Sequence, residues 1–323
     1  MPVVRRPLAL LLLVLAGWVL AACAGGEAPA EEPGSGRPGT AAGAATPSSS
    51  APASPTGSSS PPRPRTPPTP SLTVPDLPTL VDRGEVEGAD VSWPQCPPGM
   101  GIPQKRSLGA PMPFDTAEFV VIGLTNGPSF HPNPCLADQV AWARERGLMI
   151  GVYSVLSHPE ERFVRAYADQ GPYDASTAHG RLGNLGYQQA LFNLRTMRQA
   201  GVQTPAVWVD VEPVPSFDWP ADPEGNAAIV RGAVRAYQEA GYLVGAYSTQ
   251  YLWSSVVGDL RLGLPEWRAA GQTSRAEARR RCGPGSMFQG GAAVLSQWVE
   301  ADRDRNITCP GESSQLELWF ALP

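Results

Sequence analysis

Two short stretches of this 323-residue chain carry acids at a spacing suited to chemistry. One is Gly88-Ala89-Asp90-Val91-Ser92-Trp93-Pro94-Gln95; the other is Ala206-Val207-Trp208-Val209-Asp210-Val211-Glu212-Pro213. Successive side chains of a strand point to opposite faces, so Trp208, Asp210 and Glu212 share one face and Val207, Val209 and Val211 the other. Valines suit a surface covered by helices, which turns the acids toward the opposite side. Two carboxylates on one face, beside a third from another strand, are costly to hold ionised together. Repulsion and desolvation raise at least one pKa, making a protonated acid available near neutral pH. Cleavage of a glycosidic bond uses that arrangement: one acid protonates the leaving oxygen and an anion stabilises or attacks the cationic sugar. Spacing alone fits solvated strand ends or a structural hydrogen-bond network equally well.

The elements that must position these acids alternate. Candidate strands are 86–92, 118–125, 148–155, 206–212 and 242–248. Between them, Tyr187, Leu191, Leu194 and Met197 recur at helical spacing within 187–200, as do Ile229, Val230, Ala233, Val234 and Tyr237 within 226–240. These two helical runs end before Gly201 and Gly241, and a third, 136–146, ends before Gly147; glycine supplies the left-handed cap. Such alternation predicts parallel pairing and an α/β layout. Three further apolar runs follow at 266–270, 292–299 and 316–322, joined by loops and at most one short polar helix. The expected fold is an irregular TIM-like (β/α) barrel with five β/α units and three further strands; an open doubly wound sheet is the alternative. At the mouth of such a barrel the acids lie at C-terminal strand ends, where function gathers.

At these residues the sequence resembles the family 25 glycoside hydrolases, the N-acetylmuramidase lysozymes. The resemblance is carried by Asp90-Val91-Ser92 with Gln95, by Asp210-Val211-Glu212, and by Val120 to Gly127, Gly151-Val152-Tyr153, Gly245-Ala246-Tyr247-Ser248 and Ser296-Gln297-Trp298. The family's barrel, with five β/α units and three extra strands, agrees with the rhythm above. The resemblance implies that Glu212 is the general acid, that Asp210 orients the substrate's N-acetyl group or stabilises the cationic centre, and that Asp90 is the first-strand acid of the same site. It implies peptidoglycan or another envelope glycan as partner and calls for no cofactor. Trp93, Gln95, Tyr153, Tyr247 and Trp298 become candidates for contact with sugar, although aromatics more often pack a core. Several positions depart from the family: Gly123 stands where it has a lysine, Asn126 where it has a glutamate, and Ser154 where it has a histidine. For its last-strand aspartate the nearest candidate here is Glu317. Trp93-Pro94-Gln95-Cys96 further resembles an actinobacterial-type subgroup. The departures leave a catalytically inactive barrel that binds cell-wall glycan as the alternative to an enzyme.

The remaining features place the domain. The formal net charge is -5 with no basic stripe, which argues against nucleic acid. His131, His158 and His179 share no metal-ligand spacing, no metal site is expected, and Ser92 and Ser154 lack a nucleophile-elbow context. A monomer is expected. Arg5 and Arg6 followed by the short apolar core Leu8 to Leu20 read as a secretory signal. Leu20-Ala21-Ala22-Cys23 resembles the bacterial lipobox, which implies lipidation at Cys23 and a membrane anchor. Residues 1–22 are thus expected to be a signal peptide and 23–75 the lipidated cysteine with a disordered Pro/Ser/Ala/Gly-rich tether, reaching on the order of 150 Å if extended. Residues 76–323 form the barrel domain, held outside the cytoplasmic membrane and facing the cell wall. Four cysteines remain for an oxidising compartment; of three possible connectivities, sequence neighbours favour Cys96–Cys135 and Cys282–Cys309. Replacing Cys23 by serine is expected to move the exported protein from the membrane to the soluble fraction, and a variant that stays tightly membrane-bound overturns the lipid assignment.

Overall fold

In a computed structural model the chain is described over residues 83–323. Cys23, the signal and the tether lie outside the described residues. Eight strands close a barrel in sequential order. They are β1 (Glu87–Val91), β2 (Phe119–Gly123), β3 (Met149–Val155), β4 (Ala206–Asp210), β5 (Leu243–Ser248), β6 (Glu266–Gln272), β7 (Ala293–Glu300) and β8 (Arg303–Thr308). The first seven run parallel, and β8 pairs antiparallel with both β7 and β1. Helices α1 (Leu136–Glu145), α2 (Glu161–Tyr167), α3 (Ala178–Gln199), α4 (Pro223–Glu239), α5 (Gln250–Val257) and α6 (Arg275–Arg281) fill the connections between β2 and β7. None of the described helices is long and apolar enough to cross a membrane.

Local chemistry sets these boundaries. Thr177, Asp222, Thr249 and Ser274 each accept a backbone N–H in the first turn of the helix that follows, satisfying a donor the helix leaves free. Gly147, Gly201 and Gly241 take φ of 63°, 67° and 86°, the left-handed caps expected from the sequence. Helices α3 and α4 cross closely because Gly186 and Gly232 bear no side chain: a Cβ would fall 1.8 Å from the Ile229 carbonyl oxygen and 1.9 Å from that of Gly183. Both disulfides expected from sequence form, Cys96–Cys135 and Cys282–Cys309. The first ties the segment after β1 to the start of α1, the second the end of α6 to the segment after β8.

Alternation along the strands divides two cores. Val91, Val120, Ile122, Val207 and Val209 face the helices. Phe119, Val121, Trp208, Trp267 and Leu295 fill the barrel. Glycines on the inner face make room for neighbouring rings; a Cβ on Gly245 would lie 2.2 Å from the Trp208 ring, and one on Gly88 2.4 Å from Phe119.

One expectation is corrected. The apolar run 316–322 is no strand: Glu312–Leu318 is 3-10 helical, and only Ala321 makes an isolated bridge, to Ile150. This segment plugs the barrel floor, with Trp319 5.0 Å from Trp208 and Phe320 4.6 Å from Phe119 between ring centroids. The eighth strand is instead the charged Arg303-Asp304-Arg305-Asn306-Ile307-Thr308, reached through a two-residue turn at Ala301 and Asp302 with φ of 50° and 57°. The one short polar helix expected among the later runs is α6, between β6 and β7, while β1 is followed by a 3-10 turn, Trp93–Gln95, and a long loop.

Gly245→Ala is expected to destabilise the domain by about 1–3 kcal/mol, because the fully buried Trp208 has nowhere to move. Urea denaturation of the two proteins measures it; equal midpoints would contradict the packing described.

Candidate functional site

The inner face turns polar at the C-terminal ends of the strands. Asp90 is the inward residue near the end of β1, one step above Gly88, and is 6% exposed. Its Oδ1 accepts hydrogen bonds from Gln297 Nε2 of β7 at 2.9 Å and from Asn306 Nδ2 of β8 at 2.7 Å. Those partners are themselves held: Tyr247 Oη of β5 donates to Gln297 Oε1 at 2.7 Å, and Trp267 Nε1 of β6 donates to Asn306 Oδ1 at 2.7 Å. Asp210 ends β4 on the same inner face as Trp208 and is 4% exposed. Its Oδ1 is buried and has no hydrogen-bond partner among the described residues. Glu212 lies two residues beyond the strand, half-buried at the rim, where its carbonyl accepts from Trp219 Nε1 at 3.0 Å.

A fourth acid joins these three. Asp304, on the face of β8 shared with Asn306, interacts electrostatically with Asp90 and Glu212. The sequence reading had turned to Glu317 for a last-strand acid, but Glu317 lies in the 3-10 segment under the floor, two residues from Trp319. Asp304 was hidden because a strand reading Arg-Asp-Arg-Asn lacks apolar alternation. Its inward residues are polar since they line this mouth, while outward Arg305 pairs with Glu87 and Glu300.

Four carboxylates brought together at a buried mouth resist ionisation. Burial, helped by the charge of Asp90, pushes Glu212 up to about 7. Asp90 is raised to about 6 by burial, against the lowering effect of the Gln297 and Asn306 hydrogen bonds. Asp210 and Asp304 are raised as well, through burial and the neighbouring carboxylates. One cation acts on this group: Lys105, the only lysine in the chain, from the loop between β1 and β2. Mixed protonation at neutral pH, with one acid able to donate a proton beside others able to stay ionised, is what the arrangement offers chemically. Among the described residues no group of three or more His, Cys, Asp or Glu side chains is arranged to hold a metal ion.

The other predicted residues divide. Tyr153 and Tyr247 reach the acids: burial and the acids' charges drive both hydroxyls well above their ordinary range. Gln95 caps its own 3-10 turn, accepting the Ser92 N–H at 2.9 Å through Oε1, and Trp93 opens the same turn. Trp298 does not join the site. It faces away from Gln297, fully buried with Ala278 of α6 and Ile307, and Arg305 stacks 5.0 Å from its ring. The positions that depart from the resembled family have physical reasons here. A Cβ on Gly123 would lie 2.6 Å from Ser92 Cβ and 2.8 Å from the Tyr153 ring, so a larger residue would require one of them to shift. Asn126 is a clamp, accepting from Ile102 N at 2.6 Å and donating to the Lys105 carbonyl at 3.1 Å. Ser154 faces outward, accepting from Tyr237 Oη at 3.0 Å.

Comparison with known proteins places this site in context. Residues 177–279 match the family model described as Lysozyme-like protein 1. The matched stretch carries Asp210, Glu212 and Tyr247 but neither Asp90 nor Asp304. Lysozyme-like protein 5 of Caenorhabditis elegans is 33% identical over 70 residues, 22% of this chain and 31% of that protein. Lysozyme-like protein 2 of the same organism is 30% identical over 74 residues, 23% and 26% respectively. The chain thus spans less than a third of the length of either relative. Among solved structures, a family GH25 lysozyme from Aspergillus fumigatus aligns over 74% of this chain and all of its own, at 16% identity and a TM-score of 0.47.

Raised carboxylate pKa values make stability fall as pH rises. The unfolded carboxyls titrate near 4, so their contribution is fully present below that value and is lost as pH climbs through about 6 for Asp90 and about 7 for Glu212. Urea midpoints are expected to decrease between pH 5 and pH 8. Asp210→Asn, which removes a buried charge lacking a partner at Oδ1, should recover about 0.5–2 kcal/mol at pH 8 and less at pH 5. A midpoint independent of pH would rule out the mutual repulsion described.

Proposed function

We propose that this protein is a cell-envelope glycoside hydrolase of the muramidase type, cleaving peptidoglycan-type glycan by acid-assisted hydrolysis. The observation that carries this reading is Glu212: a rim carboxyl raised to about 7, two residues from a buried aspartate, at the mouth of a closed barrel. The match of residues 177–279 to a lysozyme-like family model supports it, as that stretch contains both acids.

In this mechanism protonated Glu212 donates to the leaving glycosidic oxygen as the bond to the anomeric carbon breaks. The departing sugar leaves as an alcohol, and positive charge develops on the sugar that remains. Asp210 stabilises that charge or orients an N-acetyl group beside it. Asp90, pinned by Gln297 and Asn306, supplies a further anion of fixed position. Asp304 adds negative potential that acts on Asp90 and Glu212. Water then supplies the hydroxyl at the anomeric carbon, and its proton returns to Glu212. Tyr153 and Tyr247 stand among the acids and present their hydroxyls to the sugar.

The protein works outside the cytoplasmic membrane, anchored by lipid at Cys23 and facing the wall; its two disulfides fit an oxidising compartment. The purified protein should release soluble fragments ending in muramic acid from isolated peptidoglycan, identified by mass spectrometry. Glu212→Gln should lower that rate by about 10²–10⁴-fold, with the thermal midpoint retained. Well-folded wild type and mutant that both pellet with the wall and release nothing would replace hydrolysis with glycan binding by an inactive barrel.

A further inference from the structure

Asp90 receives its two side-chain hydrogen bonds on one oxygen. Gln297 Nε2 and Asn306 Nδ2 both donate to Oδ1, at 2.9 and 2.7 Å. The two amides belong to residues directly opposite each other in the β7–β8 pairing. A primary amide has a donor end and an acceptor end of nearly equal size, so by shape alone each fits either way round. Turned over, it would present a carbonyl oxygen to Asp90, and only a protonated acid would satisfy it. What faces the far end of each amide therefore decides which form of Asp90 the site accepts.

At the far end of Asn306 stands Trp267, whose Nε1–H donates to Asn306 Oδ1 at 2.7 Å. An indole nitrogen donates and never accepts, so Asn306 cannot turn over without setting N–H against N–H in a buried place. The ring is wedged. It is fully buried, with centroids 4.6 Å from Tyr247, 5.8 Å from Tyr153 and 6.0 Å from Trp208, all near edge-to-face. Tyr247 sets the second amide in the same sense, its hydroxyl donating to Gln297 Oε1 at 2.7 Å. Tyr247 and Trp267 are themselves paired neighbours on β5 and β6. Two donors on adjacent strands thus fix two amides on the next two, and both amides turn N–H groups on one carboxylate oxygen. With both lone pairs of Oδ1 engaged, a proton on Asp90 has only Oδ2 to occupy.

We propose that Trp267 is a positioning residue, seconded by Tyr247: through Asn306 and Gln297 they orient Asp90 and make it the acid of the mouth that stays ionised while a neighbour carries the proton. The kinetic part of the proposal rests on the glycosidase reading; the orientation of Asp90 does not. The titratable groups that interact with Asp90 are Tyr153 from β3, Asp210 from β4, Glu212 just beyond it, Tyr247 from β5 and Asp304 from β8. All are acids or phenols, so none of them favours a negative charge on Asp90. The two amides do, and only while their outer donors hold them. With Asp90 kept as the anion, Glu212 at the rim is left to carry the proton and donate it.

Full-length protein labelled with ¹³C at the aspartate carboxyl gives an Asp90 signal, identified by its loss in Asp90→Asn and followed from pH 4 to pH 9 without substrate. A midpoint near 6 is expected in wild type. Trp267→Phe keeps a ring in the aromatic cluster but removes the N–H, and should raise that midpoint by about one pH unit. Tyr247→Phe loses only a hydroxyl and should shift the midpoint in the same direction, which keeps the test open if Trp267→Phe does not fold. In the activity assay the acid limb of kcat/KM should move upward with the midpoint in Trp267→Phe. Midpoints that stay at the wild-type value in the folded variants overturn the proposal. So does a fall in kcat/KM equal at every pH, which would make Trp267 a packing residue alone. If wild type cleaves nothing, the glycosidase reading fails, and the Asp90 midpoints still decide whether the two donors hold the acid.

Discussion

Asp90 accepts hydrogen bonds from Gln297 and Asn306, residues 207 and 216 positions further along the chain. Those two bonds join the first strand to the last two, across the seam where the barrel closes. The seam is antiparallel, and that geometry places Asn306 opposite Gly88, with Asp304 beyond it toward the mouth. Site and closure are therefore the same structure. Were β8 parallel, its polar face would not run from Thr308 at the base to Asp304 at the rim, and the first-strand acid would lose a partner.

A mouth built this way costs stability, and the rest of the barrel offsets that cost by dense packing. Glycine opposite an aromatic ring recurs through the inner layers: Gly88 with Phe119, Gly245 with Trp208, Gly151 with Phe320. Each pair lets a large ring lie flat in a narrow barrel, and burial of such rings is the main stabilising term available there. The floor is sealed by 316–322, so the apolar interior meets solvent only through its polar lid. Contrast the buried pair Glu266–Arg268 on the outer face. There the carboxylate accepts from the backbone N–H groups of Phe288, Gln289 and Gly291 and from Arg268 Nε at 2.7 Å. Every charge is answered, and the pair is structural. Asp210 Oδ1 has no hydrogen-bond partner among the described residues. The difference between the two buried acids is the difference between an anchor and a site.

Much of this was legible from residue order. The period-two pattern of 206–212 places Asp210 inward and the valines outward as found, and glycine caps locate the ends of α1, α3 and α4. What escaped did so for physical reasons. β8 carries few apolar residues because one face lines the polar mouth and the other is engaged in ion pairs, so hydrophobic alternation is silent. Its hairpin turn uses Ala301-Asp302 in left-handed conformations rather than the Asn-Gly signature of such turns. The run 316–322 reads as a strand because it is apolar, but its burial comes from plugging the floor. Trp298 is a candidate sugar platform by its place near a predicted strand end; one residue of alternation sends it to the other side. Lys105 lies in a loop whose path follows from Asn126, Gly127 and a disulfide, none of which local pattern can locate.

The chain carries 25 Lys and Arg residues, and all but one are arginine. Arginine holds several carboxylates outside the mouth: Glu85 by Arg275 and Arg279, Glu87 by Arg275 and Arg305, Glu266 by Arg268. A planar guanidinium forms paired hydrogen bonds with a carboxylate and fixes it in the ionised state. Among the described residues no arginine forms an ion pair with Asp90, Asp210, Glu212 or Asp304, so none of the acids of the mouth is locked in the ionised state by a guanidinium.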